Sequence, residues 1–410
     1  MPTLLQINTS LNCNSTGKIA EQIGVLVTKQ GWDCYIAHGP RFKKPSALKS
    51  YEIETKFGEN LHFIKSLFFD AHGLSSTNAT KRFINWIDTI KPDIIHLHNI
   101  HGYYLNYPIL FKYLAEKGIP IVWTFHDCWP ITGHCGYFSL EGCKKWKTGC
   151  GKCPLRWKEY PKSLIIDKSA FNYQLKKNLF VALKNLHIVS VSQWLDSIVS
   201  KSFLGQKKHS FIYNGIDLNI FKPTPSNLRT KYSIGERKIL LGVASIWTTR
   251  KGLKDYIELS RRLSEDYQIV LIGPTSKQAK KIPNNIIVIN RTNNQQELAQ
   301  WYSEADILLN LSYEETFGLT TVEGFACGTP SIVYDRTASP ELVTPETGVV
   351  IDAGDYESLI KSIAKISLMG KNLYKEICRQ RALDFFNKDD RFQDYINLYN
   401  ELLNEKSCSR

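Results

Sequence analysis

A chain of 410 residues with 43% hydrophobic content is long enough for about two domains, each with its own core. No run approaches the ~20 consecutive apolar residues of a membrane span, and MPTLLQINTS lacks the basic start and apolar core of a secretory signal. A cytoplasmic location with the ten cysteines reduced is therefore expected. The net charge of +13 is uneven: residues 1–190 hold 24 Lys/Arg against 13 Asp/Glu, a net of +11, and the rest adds only +2. That excess gives the first half either a merely soluble face or an anionic partner.

Short apolar, β-branched runs alternate with helical patterns, the mark of βαβ units and parallel sheets. In the first half the pattern predicts strands at Thr3 to Asn8, Cys34 to Ala37, Ile94 to His98, Ile119 to Phe125 and His187 to Val191, with helices over 17–30, 80–90, 107–117 and 170–184. His209 to Pro223, HSFIYNGIDLNIFKP, reads as a strand entering an Asn-Gly turn and a Pro stop, suited to an interdomain linker. The plan then repeats, with strands at 238–245, 268–272, 285–289, 306–311 and 331–334 and helices over 252–263, 295–303, 319–327 and 356–367. A last helix is predicted from Arg391 to Leu403.

Four segments carry chemistry. Asn12 to Lys18, NCNSTGK, has a Gly-Lys pair, but Asn12 and Ile19 stand where a phosphate-binding P-loop needs Gly and Ser or Thr, so an NTPase is excluded. In Trp123 to Trp129, WTFHDCW, a buried strand ends at His126 and Asp127, and an imidazole there can donate to a hydroxyl or shuttle a proton near neutral pH. His126 is the stronger candidate. Cys135, Cys143, Cys150 and Cys153 follow in a basic, Gly-rich lobe near 128–155, and either hold a tetrahedral structural zinc or pack the lobe as reduced thiols. In ASIWTTRKGLK, Lys251 follows a predicted strand and is placed to neutralise a diphosphate, whereas Arg250 reads equally well as solvated.

The most informative segment is SYEETFGLTTVEGFACGTP, residues 312–330, where Glu315 and Glu323 bracket the predicted N-terminus of a helix. Such an end offers unpaired N–H groups and a partial positive charge to a diphosphate, and Gly318 and Thr320 are small enough to let it approach. The flanking carboxylates suit sugar hydroxyls. Read alone, the segment is also an ordinary capped amphipathic helix ended by Gly328 and Pro330.

With its two glutamates around Phe317, Gly318 and Leu319 and its closing Gly-x-Pro, the segment closely resembles the donor-binding signature of retaining family-4 glycosyltransferases. NGID followed by Phe and Pro, at 214–223, resembles a second stretch of the same family. The resemblance implies an α/β, GT-B architecture: two Rossmann-like doubly wound domains facing across a cleft. The N-terminal acceptor domain would cover 1–205, the donor domain 206–385, and a C-terminal helix, 386–410, would pack back on the first domain. It gives Glu315 the contact to the transferred sugar, Glu323 the nucleotide ribose, and His126 a contact to the donor sugar. Lys251 and the helix at Leu319 would stabilise the leaving diphosphate, and Gly17 would let its loop pass close beneath the sugar. The family usually has an Arg six residues before this Lys; Ser245 stands there, which puts the two-cation clamp with Arg250 in question.

HDCWPITGHCGYF with CKKWKTGCGKCP also resembles the enzymes that build bacterial capsule, colanic-acid-like or O-antigen polysaccharides. The expected activity is transfer of a hexose from a UDP- or GDP-linked sugar to a polyprenyl-diphosphate-linked saccharide, with retention of configuration and no cofactor required for catalysis. The acceptor would lie at the inner face of the cytoplasmic membrane, with an anionic membrane surface as partner and no nucleic acid. Arg41 to Lys44, Lys65 to Phe69 and Phe171 to Phe180 mix basic and aromatic residues, as a lipid-facing surface would, or as ordinary amphipathic helices do. The alternatives are another GT-B enzyme such as a nucleotide-sugar epimerase, and a zinc-bearing basic protein that binds nucleic acid.

Overall fold

The structure, a computed structural model, describes residues 1–408. The described residues pack into two compact units, Met1–Ile212 together with the helical segment from Phe392 on, and Tyr213–Arg391.

The first unit is built on seven strands: β1 (Thr3–Asn8), β2 (Asp33–His38), β3 (Lys49–Glu52), β4 (Ile94–Leu97), β5 (Ile121–Phe125), β6 (Leu186–Ser190) and β7 (Lys208–Phe211). They lie in the order β3-β2-β1-β4-β5-β6-β7, all parallel. Leu4 of β1 stands opposite Cys34 on one side and Ile94 on the other. Central strands of such a sheet are covered on both faces, which is why TLLQIN and IVWTF read as nearly continuous apolar runs. The chain winds outward from β1 through β2 to β3, then returns to place β4 on the other side of β1. That reversal makes a switch point between β1 and β4, and ligands of open parallel sheets bind at the carboxyl ends of the strands there.

Phe392, Tyr395, Ile396, Tyr399 and Leu402 recur at helical spacing along the helix Lys388–Cys408, and they join the core of the first unit with Leu4, Ile94, Val122 and Val189. Burying each such side chain contributes roughly 1.5–3 kcal/mol. The Tyr399 hydroxyl reaches His96 Nδ1 at 2.6 Å, so the contact is specific as well as apolar.

The second unit carries β8 (Lys238–Val243), β9 (Tyr267–Ile272), β10 (Ile286–Ile289), β11 (Ile307–Asn310), β12 (Ser331–Tyr334) and β13 (Gly348–Ile351). Their order is β10-β9-β8-β11-β12-β13, again all parallel, with the reversal between β8 and β11.

The expected architecture, α/β with two doubly wound sheets, is present. Details differ for physical reasons. The strand expected from Ile119 begins at Ile121, after Pro120, which has no N–H for the ladder. The first unit runs to Ile212 rather than to 205 because β7 pairs with β6, His209 facing Ile188. The second unit extends past 385 because Ile216 bridges Asn387. Strand β13 and the helices Lys56–Phe69 and Lys371–Phe386 were not expected. Among the described residues no helix is long and apolar enough to cross a membrane.

Candidate active site

In the second unit the loops after β8 and β11 are neighbours because their strands pair, Leu240 beside Ile307. Lys251 closes a short turn after β8, and Gly252 follows at φ 72°. A Cβ at Gly252 would stand 2.0 Å from the Leu311 carbonyl oxygen, so glycine is what lets the two loops touch. Across that contact the Lys251 Nζ donates to Glu315 Oε1 in a largely buried ion pair, with side-chain exposures of 21% and 10%. Burial works to raise the Glu315 carboxyl, but the Lys251 ammonium, the Arg250 guanidinium and hydrogen bonds from Lys251 and Ser312 outweigh it and hold the group below the ordinary carboxylate value. Its backbone is fixed by the Thr337 hydroxyl, which accepts from the Glu315 N–H at 2.8 Å.

Arg250 Nη1 donates to the Glu314 carbonyl at 2.6 Å, and the Tyr313 N–H donates back to the Arg250 carbonyl at 2.8 Å. Arg250 thus ties the two loops together as well as adding its charge beside Glu315. Ser245 is exposed.

Gly318 (φ 107°) precedes the helix Leu319–Ala326, whose partly exposed Leu319, Thr320 and Glu323 stand at its start. The Tyr302 hydroxyl donates to Glu323 Oε2 at 2.8 Å, which orients the carboxylate. Phe317, expected at the donor, has a buried ring packed among Tyr213 and Phe386 at 5.8 and 5.9 Å between centroids. Its side chain is core, and its part is to anchor the turn.

The first unit gathers a different set at the ends of β1, β4 and β5. His126 Nε2 lies 3.2 Å from His98 Nδ1, and His98 Nε2 lies 3.0 Å from Gln6 Oε1. Beside them His101 Nε2 donates to Asp127 Oδ2 at 2.8 Å, and the Trp129 N–H donates to the other carboxylate oxygen at 2.9 Å. Burial, opposed by Asp127, takes His126 down to about 4. It is therefore neutral at pH 7 and able to donate one hydrogen bond, and the proton shuttle near neutral pH expected from the sequence does not fit this environment. Asp127 is held below its ordinary value: burial raises it, but the charge and hydrogen bond of His101 prevail.

Gly17 is required by packing within the chain itself. A Cβ there would stand 2.6 Å from Ser10 Oγ and 3.0 Å from the Ser10 carbonyl oxygen, so the residue lets the helix Asn14–Lys29 sit on the chain's own β1 loop.

The four thiols Cys135, Cys143, Cys150 and Cys153 all line one small cavity of about 20 Å³, room for one water or ion. Cys135 and Cys153 are hydrogen-bonded to one another, and the Gly133 N–H donates to Cys150 Sγ at 3.2 Å. Among the described residues no group of three or more His, Cys, Asp or Glu side chains is arranged to hold a metal ion.

His98 and His101 are the residues the sequence reading missed. Both sit just after β4, the strand adjoining the switch point, and position at that strand end was the available signal.

Two doubly wound sheets with charged loops at their switch points define a GT-B enzyme, and similarity to known proteins agrees. Residues 226–382 match the family model for glycosyl transferases group 1, and residues 27–220 match that for glycosyltransferase family 4, together spanning most of the chain. The chain belongs to the family-4 glycosyltransferases of the GT-B fold. It is 24% identical over 390 residues to the putative colanic acid biosynthesis glycosyl transferase WcaC of Escherichia coli K12, covering 92% of this chain and 89% of that one. Among solved structures it is similar to sucrose-phosphate synthase from Thermosynechococcus elongatus (TM-score 0.72, 15% identity, 99% and 100% of the two chains covered). It is also similar to HepE of Anabaena in complex with UDP-glucose (TM-score 0.65, 15% identity, 97% and 99% covered).

Proposed function

We propose that this glycosyltransferase moves a hexose from a UDP- or GDP-linked sugar to a polyprenyl-diphosphate-linked saccharide, with retention of configuration, in the assembly of a bacterial surface polysaccharide. The observation that carries the reading is the Lys251–Glu315 pair beside the helix that bears Glu323. The similarity to a colanic acid enzyme and to a UDP-glucose complex supports the polysaccharide and the nucleotide donor.

On this reading Lys251 leaves Glu315 when the donor enters and turns to the diphosphate. The helix start at Leu319 and Thr320 offers N–H groups to the same phosphates. Glu315, released, accepts from hexose hydroxyls, and Glu323 accepts from the ribose. His126, neutral, donates to the sugar. As the bond from the anomeric carbon to the phosphate oxygen breaks, its electron pair leaves with the diphosphate, whose growing charge Lys251 stabilises. The acceptor hydroxyl forms the new bond on the same face, and its proton passes to the departing phosphate oxygen.

NMR of the product tests the stereochemistry: the donor's anomeric configuration is expected, and inversion would overturn the proposed course. Product analysis also separates transfer from epimerisation, which would leave the sugar on its nucleotide. Zinc on the four thiols is a separate proposal, with Cys135, Cys143, Cys150 and Cys153, which line one cavity, as its ligands. Metal analysis finding no stoichiometric zinc in purified protein would leave the thiols as packing.

A further inference from the structure

The helix Lys56–Phe69, KFGENLHFIKSLFF, is packed inside out. At 100° per residue, Glu59, His62, Ser66 and the capping Asp70 fall on one stripe, and Phe57, Leu61, Ile64 and Phe68 fall on another about 170° away. In an ordinary surface helix the apolar stripe is buried. Here the polar stripe is buried. It is buried for a reason, because each charged or imidazole group on it is matched. Arg41 Nε donates to Glu59 Oε2 at 3.1 Å, the Gly73 N–H donates to His62 Nε2 at 3.0 Å, and His134 Nδ1 donates to Asp70 Oδ1 at 2.8 Å. The helix is thereby fixed with its hydrophobic residues turned outward, Phe57 at 80% exposure and Ile64 at 49%.

The exposed stripe is extended by a second segment. The Leu164 N–H donates to the Leu67 carbonyl at 2.7 Å and the Ile166 N–H to that of Phe68 at 3.3 Å, which lays exposed Leu164, Ile165 and Ile166 along the end of the helix. A contiguous exposed apolar surface of this kind marks a site of interaction.

The charge around it narrows the partner. Lys56 and Lys65 are exposed on the helix, Lys162 is exposed just before Leu164, and Arg156 Nη1 donates to the Ile165 carbonyl at 3.0 Å. Across residues 141–168 there are eight Lys/Arg against three Asp/Glu. Large apolar side chains among cations fit the boundary between anionic headgroups and acyl chains, where apolar burial and attraction to the lipid charge add. We infer that the Lys56–Phe69 helix and the Leu164–Ile166 segment form the surface by which the first unit docks on an anionic membrane. Of the basic-aromatic stretches in the first half, the one ending at Phe69 lies on this surface, whereas Phe180 is core.

The inference deepens the proposed lipid-linked acceptor, and the two fail separately. The test is flotation of the full chain with vesicles of phosphatidylcholine alone and of phosphatidylcholine with phosphatidylglycerol. Wild type is expected to float with the anionic vesicles, and the variant L61S/I64S/F68S to lose about tenfold or more of its bound fraction, from the apolar area removed. That variant is expected to keep its transfer rate on a water-soluble acceptor. The variant K56E/K65E, at two exposed lysines, is expected to bind several-fold less and to make residual binding more salt-sensitive. Glu315→Ala should float like wild type while failing in transfer, so loss of activity with flotation intact indicts the site and not the surface. Wild type that floats with neither vesicle overturns the inference. So does L61S/I64S/F68S floating like wild type, or changing only the oligomeric state, which would make the face a contact between copies.

Discussion

The two units end their sheets in opposite electrostatic styles. At the switch point of the second unit, charges are kept: Lys251 and Glu315 neutralise each other, and the carboxylate is held ionised despite burial. At that of the first, charge is confined to the His101–Asp127 pair, and beside it His96, His98 and His126 are crowded together with burial lowering all three well below the ordinary imidazole value. The difference teaches what each edge can do. A stored ion pair can be exchanged for a charged diphosphate, whereas neutral imidazoles can only donate and accept hydrogen bonds.

The comparison breaks most easily at the ion pair. Lys251→Ala is expected to lower kcat about 10²- to 10³-fold, the usual loss when one stabiliser of developing charge is removed. It also leaves Glu315 with only the Arg250 charge and the Ser312 hydrogen bond, at a cost of up to about 3 kcal/mol, the low end for a broken buried pair. The double variant Lys251→Met with Glu315→Gln should recover melting temperature without recovering rate. Recovery of rate would show that the pair is structural.

The histidine edge gives an intermediate effect, on stability against pH. His126 and His62 both stand near 4 in the folded chain because burial disfavours their charged forms. The unfolded chain binds more protons between about 6.5 and 4, so each group weakens the fold as pH falls through that window, by up to ~3 kcal/mol. Above pH 7 neither contributes a slope. Melting temperature is expected to fall from pH 7 to 5, and His126→Asn to make that fall shallower; an unchanged slope would mean that His126 is already hydrated. The Glu315 carboxyl acts lower, its depressed value adding stability that is lost as pH falls through it.

Gly17→Ala should have the smallest consequence. The Ser10 hydroxyl must move aside and its carbonyl give by a few tenths of an ångström, at a cost of about 1–3 kcal/mol, with the KM for donor unchanged. A raised KM would return Gly17 to the donor site.

Much of this architecture could be read from residue order. Strands such as KILLGV and YQIVLI are apolar runs bounded by turns, and the glutamates around Phe317-Gly318 share one loop and helix, so local spacing discloses them. What escaped depends on contacts made elsewhere. The helix Lys56–Phe69 has its period reversed against solvent, and β3, KSYE, is a polar edge strand with almost no apolar signal. β13 opens on Gly348, which reads as a turn. The His101–Asp127 pair joins the ends of two strands 26 residues apart, and only the sheet brings them together. Phe317 and Gly17 were read as facing a ligand because small and aromatic residues also line binding loops; the packing of the Phe317 ring in the core and of Gly17 against Ser10 depends on contacts that local spacing does not disclose.

The most direct measurement is calorimetric titration of UDP- and GDP-sugars into wild type and Lys251→Ala. The account predicts at least one donor that binds wild type and binds the variant about a hundredfold more weakly, as the loss of a partly buried charge contact to a diphosphate implies. Equal affinity in the two proteins would contradict it.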